Sequence, residues 1–177
     1  PNTISFNVGI NSCAKAVPAD STRAVELFRN MQAVGVKPDV RTFSGVIDAF
    51  AKSENAEGAV AWFEKMKEFD LSPNAFCVNG VVDAFASVSD SHNAQIWFDK
   101  LYPFYKSRVP DSICYNTLMK SFAKNGDFNA CKGLLERMIS DGARPDVVTI
   151  DIMIHSCAVS DKCTAGTATE FFSLFDK

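Results

Sequence analysis

The chain lacks the marks of most catalytic, metal-binding and membrane proteins. No apolar run approaches the ~20 residues needed to cross a bilayer, and no signal or transit segment is legible at the amino end. Eighteen basic residues stand against twenty-one acidic ones, a net charge of −3. That balance excludes a strongly basic nucleic-acid tail, though not a local basic groove. Six cysteines (Cys13, Cys77, Cys114, Cys131, Cys157 and Cys163) lie far apart, and none forms a C-x-x-C pair. A disulfide scaffold and a zinc ribbon both fit poorly. The tightest grouping, His155, Cys157 and Cys163, has neither the ligand number nor the spacing of structural zinc. The cysteines read instead as small buried thiols in a reducing compartment. There is no G-x-x-x-x-G-K-[ST] phosphate loop and no H-E-x-x-H metal helix. No catalytic constellation, metal or cofactor is expected.

What the chain has is repetition. Prolines at Pro1, Pro38, Pro73, Pro110 and Pro145 are separated by 37, 35, 37 and 35 residues. Each is followed at once by an amide or an acid: Asn2, Asp39, Asn74, Asp111 and Asp146. Five units therefore tile 177 residues, at about 1–37, 38–72, 73–109, 110–144 and 145–177, the last incomplete. A period in this range is the signature of a repeat array. The pattern breaks off at "SLFDK", before the apolar residue due next, so we expect a piece of a longer array.

Aligned on the proline, the apolar positions coincide. Five residues on stand Phe6, Phe43, Val78, Tyr115 and Ile150; nine on stand Ile10, Ile47, Val82, Met119 and Ile154. Twelve on come Cys13, Phe50, Phe85, Phe122 and Cys157, then an alanine each time: Ala14, Ala51, Ala86, Ala123 and Ala158. Offsets of four, seven and eight place these side chains on one face of a helix, and the alanine marks a close approach of another. A second helix follows in each of the first four units, read from Ala24-Phe28-Met31, Ala59-Phe63-Met66, Ala94-Phe98-Leu101 and Cys131-Leu135-Met138. Turns such as "KSENAEG" and "KNGDF" separate the two helices, with Asp127 as an N-cap after Gly126. Gly35 and Gly142 can close the second helix in the left-handed conformation before the next proline bars continuation. Pro103 is expected to bend the second helix of the third unit. One hairpin of this size cannot bury its apolar face, whereas a stack can. The fold expected is an all-α, right-handed superhelical solenoid with the first helices lining its concave side.

Tetratricopeptide repeats share the period, but their Trp and Leu-Gly-x-x-Tyr pattern is missing. The stretches "VPDSICYNTLMKSFAKNGDFNACKGLLERMISDGARPD", "KPDVRTFSGVIDAFAKSENAEGAVAWFEKM" and "RPDVVTIDIMIHSCA" instead resemble the pentatricopeptide repeat, over the whole chain and in phase. That resemblance implies a modular binder of single-stranded RNA, one repeat to a base, read 5′ to 3′ from the amino end. It assigns base reading to the residue six after each proline and to the Asn or Asp after the next proline. The pairs are Asn7 with Asp39, Ser44 with Asn74, Asn79 with Asp111, and Asn116 with Asp146. In the family Asn with Asp favours uracil and Ser with Asn favours adenine, which implies 5′-U-A-U-U-3′. Asp151 holds the fifth position, a departure from the usual Asn, Thr or Ser, so its base is left unassigned. Amides, hydroxyls and carboxylates suit this task because they hydrogen-bond a base edge without filling the groove.

The resemblance further implies that Ile4, Arg41, Phe76, Ile113 and Val148 sandwich the bases, and aliphatic, aromatic and guanidinium surfaces can all stack. Lys15, Lys52 and Lys124 would meet phosphates, whereas Ser87 and Val159 at the same register lack the charge. The first-helix segments carry Lys15, Arg41, Lys52, Lys120 and Lys124 against Asp39, Asp48, Asp83, Asp111, Asp146 and Asp151. A groove so balanced should bind nonspecific RNA weakly and with marked salt sensitivity. The H-x-E and paired C-x-x-C of the zinc deaminase module that some family members append are absent. Family members act in mitochondria or chloroplasts on RNA processing, stability, editing or translation, with single-stranded RNA and proteins of RNA-processing complexes as partners. A different class of function stays open: helical-hairpin solenoids also serve as protein-interaction scaffolds, and the acidic balance suits that. A targeting arm for a catalytic domain outside this chain is a third reading.

Overall fold

A computed structural model describes residues 2–105 and 112–160. Among them lie α1 (Thr3–Lys15), α2 (Ser21–Ala33), α3 (Val40–Lys52), α4 (Ala56–Lys65) and α5 (Ala75–Ser87). There follow α6 (Ser91–Tyr105), α7 (Ser112–Lys124), α8 (Phe128–Ser140) and α9 (Val147–Val159). A single 3-10 turn, Met66–Phe69, extends α4. The odd-numbered helices are the first helices of the units and the even-numbered ones the second.

Capping explains where the helices begin. Asn2, Asp39, Asn74 and Asp146, the residues after the prolines, each accept from the backbone N–H three residues on. Asp39 and Asp146 go further, forming reciprocal capping boxes with Thr42 and Thr149. The second helices use Asp20, Asn55 and Asp127 in the same way. At the far ends, Gly35 and Gly142 take φ of 76° and 81°. Val36 N–H then reaches the Met31 carbonyl at 3.0 Å, and Ala143 N–H the Met138 carbonyl at 3.0 Å, closing both helices with the same paired bonds.

The packing shows why repetition was needed. α1 lies on α3, α3 on α5, α5 on α7 and α7 on α9, while each second helix packs against its own first helix and the next one. Second helices pack on first helices more than on each other, so the stack curves with the first helices on the inside. The core runs continuously along it. Ile10, Ile47, Val82 and Met119 are fully buried, as are Ala24, Ala59, Ala94 and Cys131 on the second helices. Phe85 touches both halves of this core. Aromatic edges span the junctions: Phe28 meets Trp62 at 4.7 Å and Phe43 at 5.1 Å, Phe63 meets Trp97 at 6.2 Å, and Phe98 meets Tyr115 at 5.0 Å. Each buried ring of this kind contributes about 1.5–3 kcal/mol.

Three expectations need correction or qualification. Ile154 and Ala158 belong by register to the core, yet both are exposed, Ile154 by 49%. Their face is the one that a second helix covers in the earlier units, and no element after Ser160 is among the described residues. Four cysteines (Cys13, Cys77, Cys114 and Cys131) are buried thiols as expected, but Cys157 is disulfide-bonded. Finally, α6 continues through Pro103 to Tyr105. Among the described residues no grouping of three or more His, Cys, Asp or Glu could hold a metal.

Candidate functional site

The inner wall of the stack is built by the first turns of the odd-numbered helices. Three residues after each proline, a side chain is left in solvent: Ile4 is 72% exposed, Phe76 73%, Ile113 54% and Val148 43%, and Arg41 is exposed as well. The Phe76 ring, lying so far out of the core, offers a flat apolar face to the groove. Three residues further on stands a polar side chain in each helix: Asn7, Ser44, Asn79, Asn116 and Asp151.

At the first junction this side chain is Asn7, 9% exposed. Its Nδ2 donates to Asp39 Oδ1 at 3.1 Å, and its Oδ1 lies 2.7 Å from the Thr42 hydroxyl. Thr42 N–H donates to the same Asp39 oxygen at 2.8 Å, and Asp39 N–H donates back to Thr42 Oγ1 at 3.0 Å. The fourth junction repeats the arrangement. Asn116 Nδ2 donates to Asp146 Oδ1 at 3.0 Å, and Thr149 Oγ1 lies 2.8 Å from Asn116 Oδ1. Burial pushes both carboxyls up, but the bonds from Thr42 and Asn7, and from Thr149 and Asn116, outweigh it, so Asp39 and Asp146 titrate below the ordinary aspartate value.

The middle junctions differ. Ser44 turns its hydroxyl back onto the Arg41 carbonyl at 3.0 Å, while Asn74 accepts the Cys77 N–H at 3.1 Å. Asn79 Oδ1 is buried and has no hydrogen-bond partner among the described residues. Asp111, its expected companion, lies outside the described residues. Between α3 and α5 opens a cavity of about 440 Å³ lined by Ser44, Phe76, Asn79 and Lys52, together with Asn11, Asp48, Asp83 and Thr117. Gly45 and Gly80 line it too. A Cβ on Gly80 would stand 2.7 Å from the Ile47 methyl, so the helices approach closely there because the side chain is missing.

Charge along this wall is already partly spent. Lys52 Nζ pairs with Asp83. Burial pulls the Lys52 ammonium down, but the bond and charge of Asp83, with Asp48 behind it, hold its pKa above the ordinary value. Asp48 is raised, chiefly by burial, with Lys52 opposing and Asp83 adding. Lys15, Lys124 and Asp151 are exposed. The structure thus brings Asn7 to Asp39 and Asn116 to Asp146, and gathers Ser44, Asn79, Phe76 and Lys52 around one cavity. It does not join Ser44 to Asn74.

Sequence reading missed Thr42 and Thr149 as parts of these junctions. The signal was present: both stand three residues after an Asp, the spacing of a capping box. The pairing of Lys52 with Asp83 was legible in composition only as a balance of charges.

Comparison with known proteins places these features. The PPR repeat family model matches residues 1–52 and 110–159, and the PPR repeat model matches residues 41–71. A pentatricopeptide repeat-containing protein of Arabidopsis thaliana is 25% identical over 160 residues, which cover 90% of this chain and 17% of that protein. Among solved structures, pentatricopeptide repeat protein PPR10 in complex with an 18-nt psaJ RNA element superposes with a TM-score of 0.83 at 20% identity, over 96% of this chain and 24% of that one. The PPR domain of Arabidopsis thaliana protein-only RNase P 1, in complex with tRNA, gives a TM-score of 0.67 at 18% identity over 88% of this chain and 80% of that one. The chain therefore spans a small part of the curated relative and of PPR10, and with its matching repeats and solenoid fold it belongs to the pentatricopeptide repeat family.

Proposed function

We propose that the chain binds single-stranded RNA along its inner wall, one unit to a base, without chemistry by the repeats. The observation that carries this is Phe76: a ring 73% exposed at the mouth of a cavity that Ser44 and Asn79 also line. A flat apolar surface beside polar groups is what a stacked, edge-read base requires, and an aromatic platform contributes about 1–3 kcal/mol per base. The RNA-bound state of PPR10 and of the RNase P domain supports the same use of the same fold.

In this reading Asn7 with Asp39, Ser44 with Asn74, Asn79 with Asp111 and Asn116 with Asp146 address successive bases with a preference near 5′-UAUU-3′. Ile4, Arg41, Phe76, Ile113 and Val148 stack, and Lys15 and Lys124 meet phosphates. Lys52 serves less well, because Asp83 already matches its charge. The setting is organellar RNA processing, stability, editing or translation, in a mitochondrion or chloroplast, in keeping with the plant relative. The test is a titration of labelled RNAs at fixed salt. An oligonucleotide containing UAUU is expected to bind more tightly than one containing GCGG, and equal affinities would remove base reading. The near-neutral wall favours one alternative, a protein-interaction scaffold, for which RNA of either sequence fails to bind and a protein partner co-purifies.

A further inference from the structure

Which way round a reading amide is held decides what it can read. An asparagine side chain presents an acceptor at Oδ1 and donors at Nδ2, and rotation by half a turn exchanges them. Uracil and cytosine differ at their Watson–Crick edge in the same sense, one offering O4 and N3–H, the other N4–H and N3. An amide free to rotate can satisfy either. An amide fixed at both ends can satisfy one.

At the first junction the amide is fixed at both ends. Asp39 Oδ1, a carboxylate oxygen that can only accept, takes the Asn7 Nδ2 proton at 3.1 Å. The Thr42 hydroxyl accepts the Asp39 N–H at 3.0 Å, and its one proton lies between two acceptors, Asn7 Oδ1 at 2.7 Å and Asp39 Oδ1 at 2.9 Å, the amide oxygen being the nearer. Reversing the amide would set oxygen against carboxylate at one end. The fourth junction is wired identically through Asp146 and Thr149, and Thr149 is fully buried. Aligned on the proline, the residue equivalent to Thr42 and Thr149 after the third unit is Cys114. There Asn79 Oδ1 is a buried oxygen with no hydrogen-bond partner among the described residues.

We propose that Thr42 and Thr149 are positioning residues that fix the orientation of the reading amide in the preceding unit, and that the third unit, with Cys114 in that place, reads its base with an amide whose oxygen no described residue holds. The inference rests on the RNA reading above and adds a residue to it. Units one and four then discriminate uracil from cytosine, whereas unit three accepts both.

Two measurements on the whole chain test it. In RNA titrations with U or C at one position at a time, the preference for U is expected to be about fivefold smaller at the third base than at the first or fourth, the worth of one ordinary hydrogen bond. Cys114→Thr should restore it. Thr149→Val should lower it at the fourth base while Thr149→Ser keeps it. Without RNA, the side-chain amide protons of Asn79 are expected to exchange with water about fivefold faster than those of Asn7 and Asn116, and Cys114→Thr should slow them. Equal exchange at all three asparagines, or a U/C preference that Cys114→Thr leaves unchanged, overturns the proposal. Failure of the unaltered chain to bind any of these RNAs would instead sink the RNA reading, and amide exchange alone then decides whether the threonines position the amides.

Discussion

The outer two of the four junctions in this stack and the middle two are made from the same repeat, yet they are finished differently. After units one and four a buried threonine ties the cap of one unit to the amide of the unit before it. After units two and three a cysteine stands in its place (Cys77 and Cys114), and the wall between α3 and α5 opens into a cavity beside an ion pair of its own. The repeat fixes the backbone, while one side chain per junction sets how rigid and how polar its inner surface becomes.

The largest effect that would sharpen the contrast is on stability. Thr149→Val leaves the Asp146 N–H and Asn116 Oδ1 without the hydroxyl, and is expected to cost about 2 kcal/mol in urea unfolding. Cys77→Val, at the equivalent place in the middle of the stack, should cost less than about 1 kcal/mol, because a buried thiol behaves as a small apolar group. Equal losses would erase the distinction.

A second contrast lies in the turns between the two helices of a unit. Unit four uses Gly126 at φ 68°, whereas units two and three force Glu54 to φ 56° and Ser89 to φ 60°. Gly126→Ala should destabilise by about 1 kcal/mol, while Glu54→Gly and Ser89→Gly should each stabilise by something under ~1 kcal/mol in the same assay.

Next in size is the middle charge pair. Asp83→Asn frees Lys52 and is expected to strengthen RNA binding a few-fold at low salt, steepening the salt dependence by roughly one counterion. Lys52→Ala should change affinity much less than Lys124→Ala does, because its charge is already matched. Stability should move little in either case, since the Lys52 side chain is half exposed and that of Asp83 29% exposed.

The smallest effect is on pH. Asp39 and Asp146 have folded pKa values below that of the unfolded chain, so their stabilisation is present above about 3.9 and is lost as pH falls through the lowered values. Asp48 has the opposite sign, its raised value making the charged form the costlier one as pH rises through it. Asp39→Asn should therefore flatten the acid limb of a stability–pH profile, and Asp48→Asn should leave that limb steeper at neutral-pH stability equal or higher.

Much of the fold was legible because burial leaves a periodic trace. The positions five, nine, twelve and thirteen residues after each proline marked the apolar face of the first helices, and the prolines marked where those helices begin. Ile154 misled for a physical reason: register says which face is apolar, not whether anything covers it. The candidate site was legible only as positions. Spacing located Asn7, Ser44, Asn79 and Asn116, but the hydrogen bonds of Asn7 and Asn116 come from side chains 30 or more residues away, Asn116 from Asp146 and Thr149 for example. Nor could composition show that Lys52 would be paired with Asp83 across two helices, or that Glu54 and Ser89 would take a glycine's conformation.

The most direct measurement keeps RNA composition constant and moves one base. The chain is titrated with oligonucleotides containing UAUU, AUUU and UUAU at fixed salt. Ordered readers along one wall predict tightest binding when adenine meets Ser44 in the second place. Identical affinity for all three permutations would contradict that account, because a surface that only attracts single strands cannot tell where the purine sits.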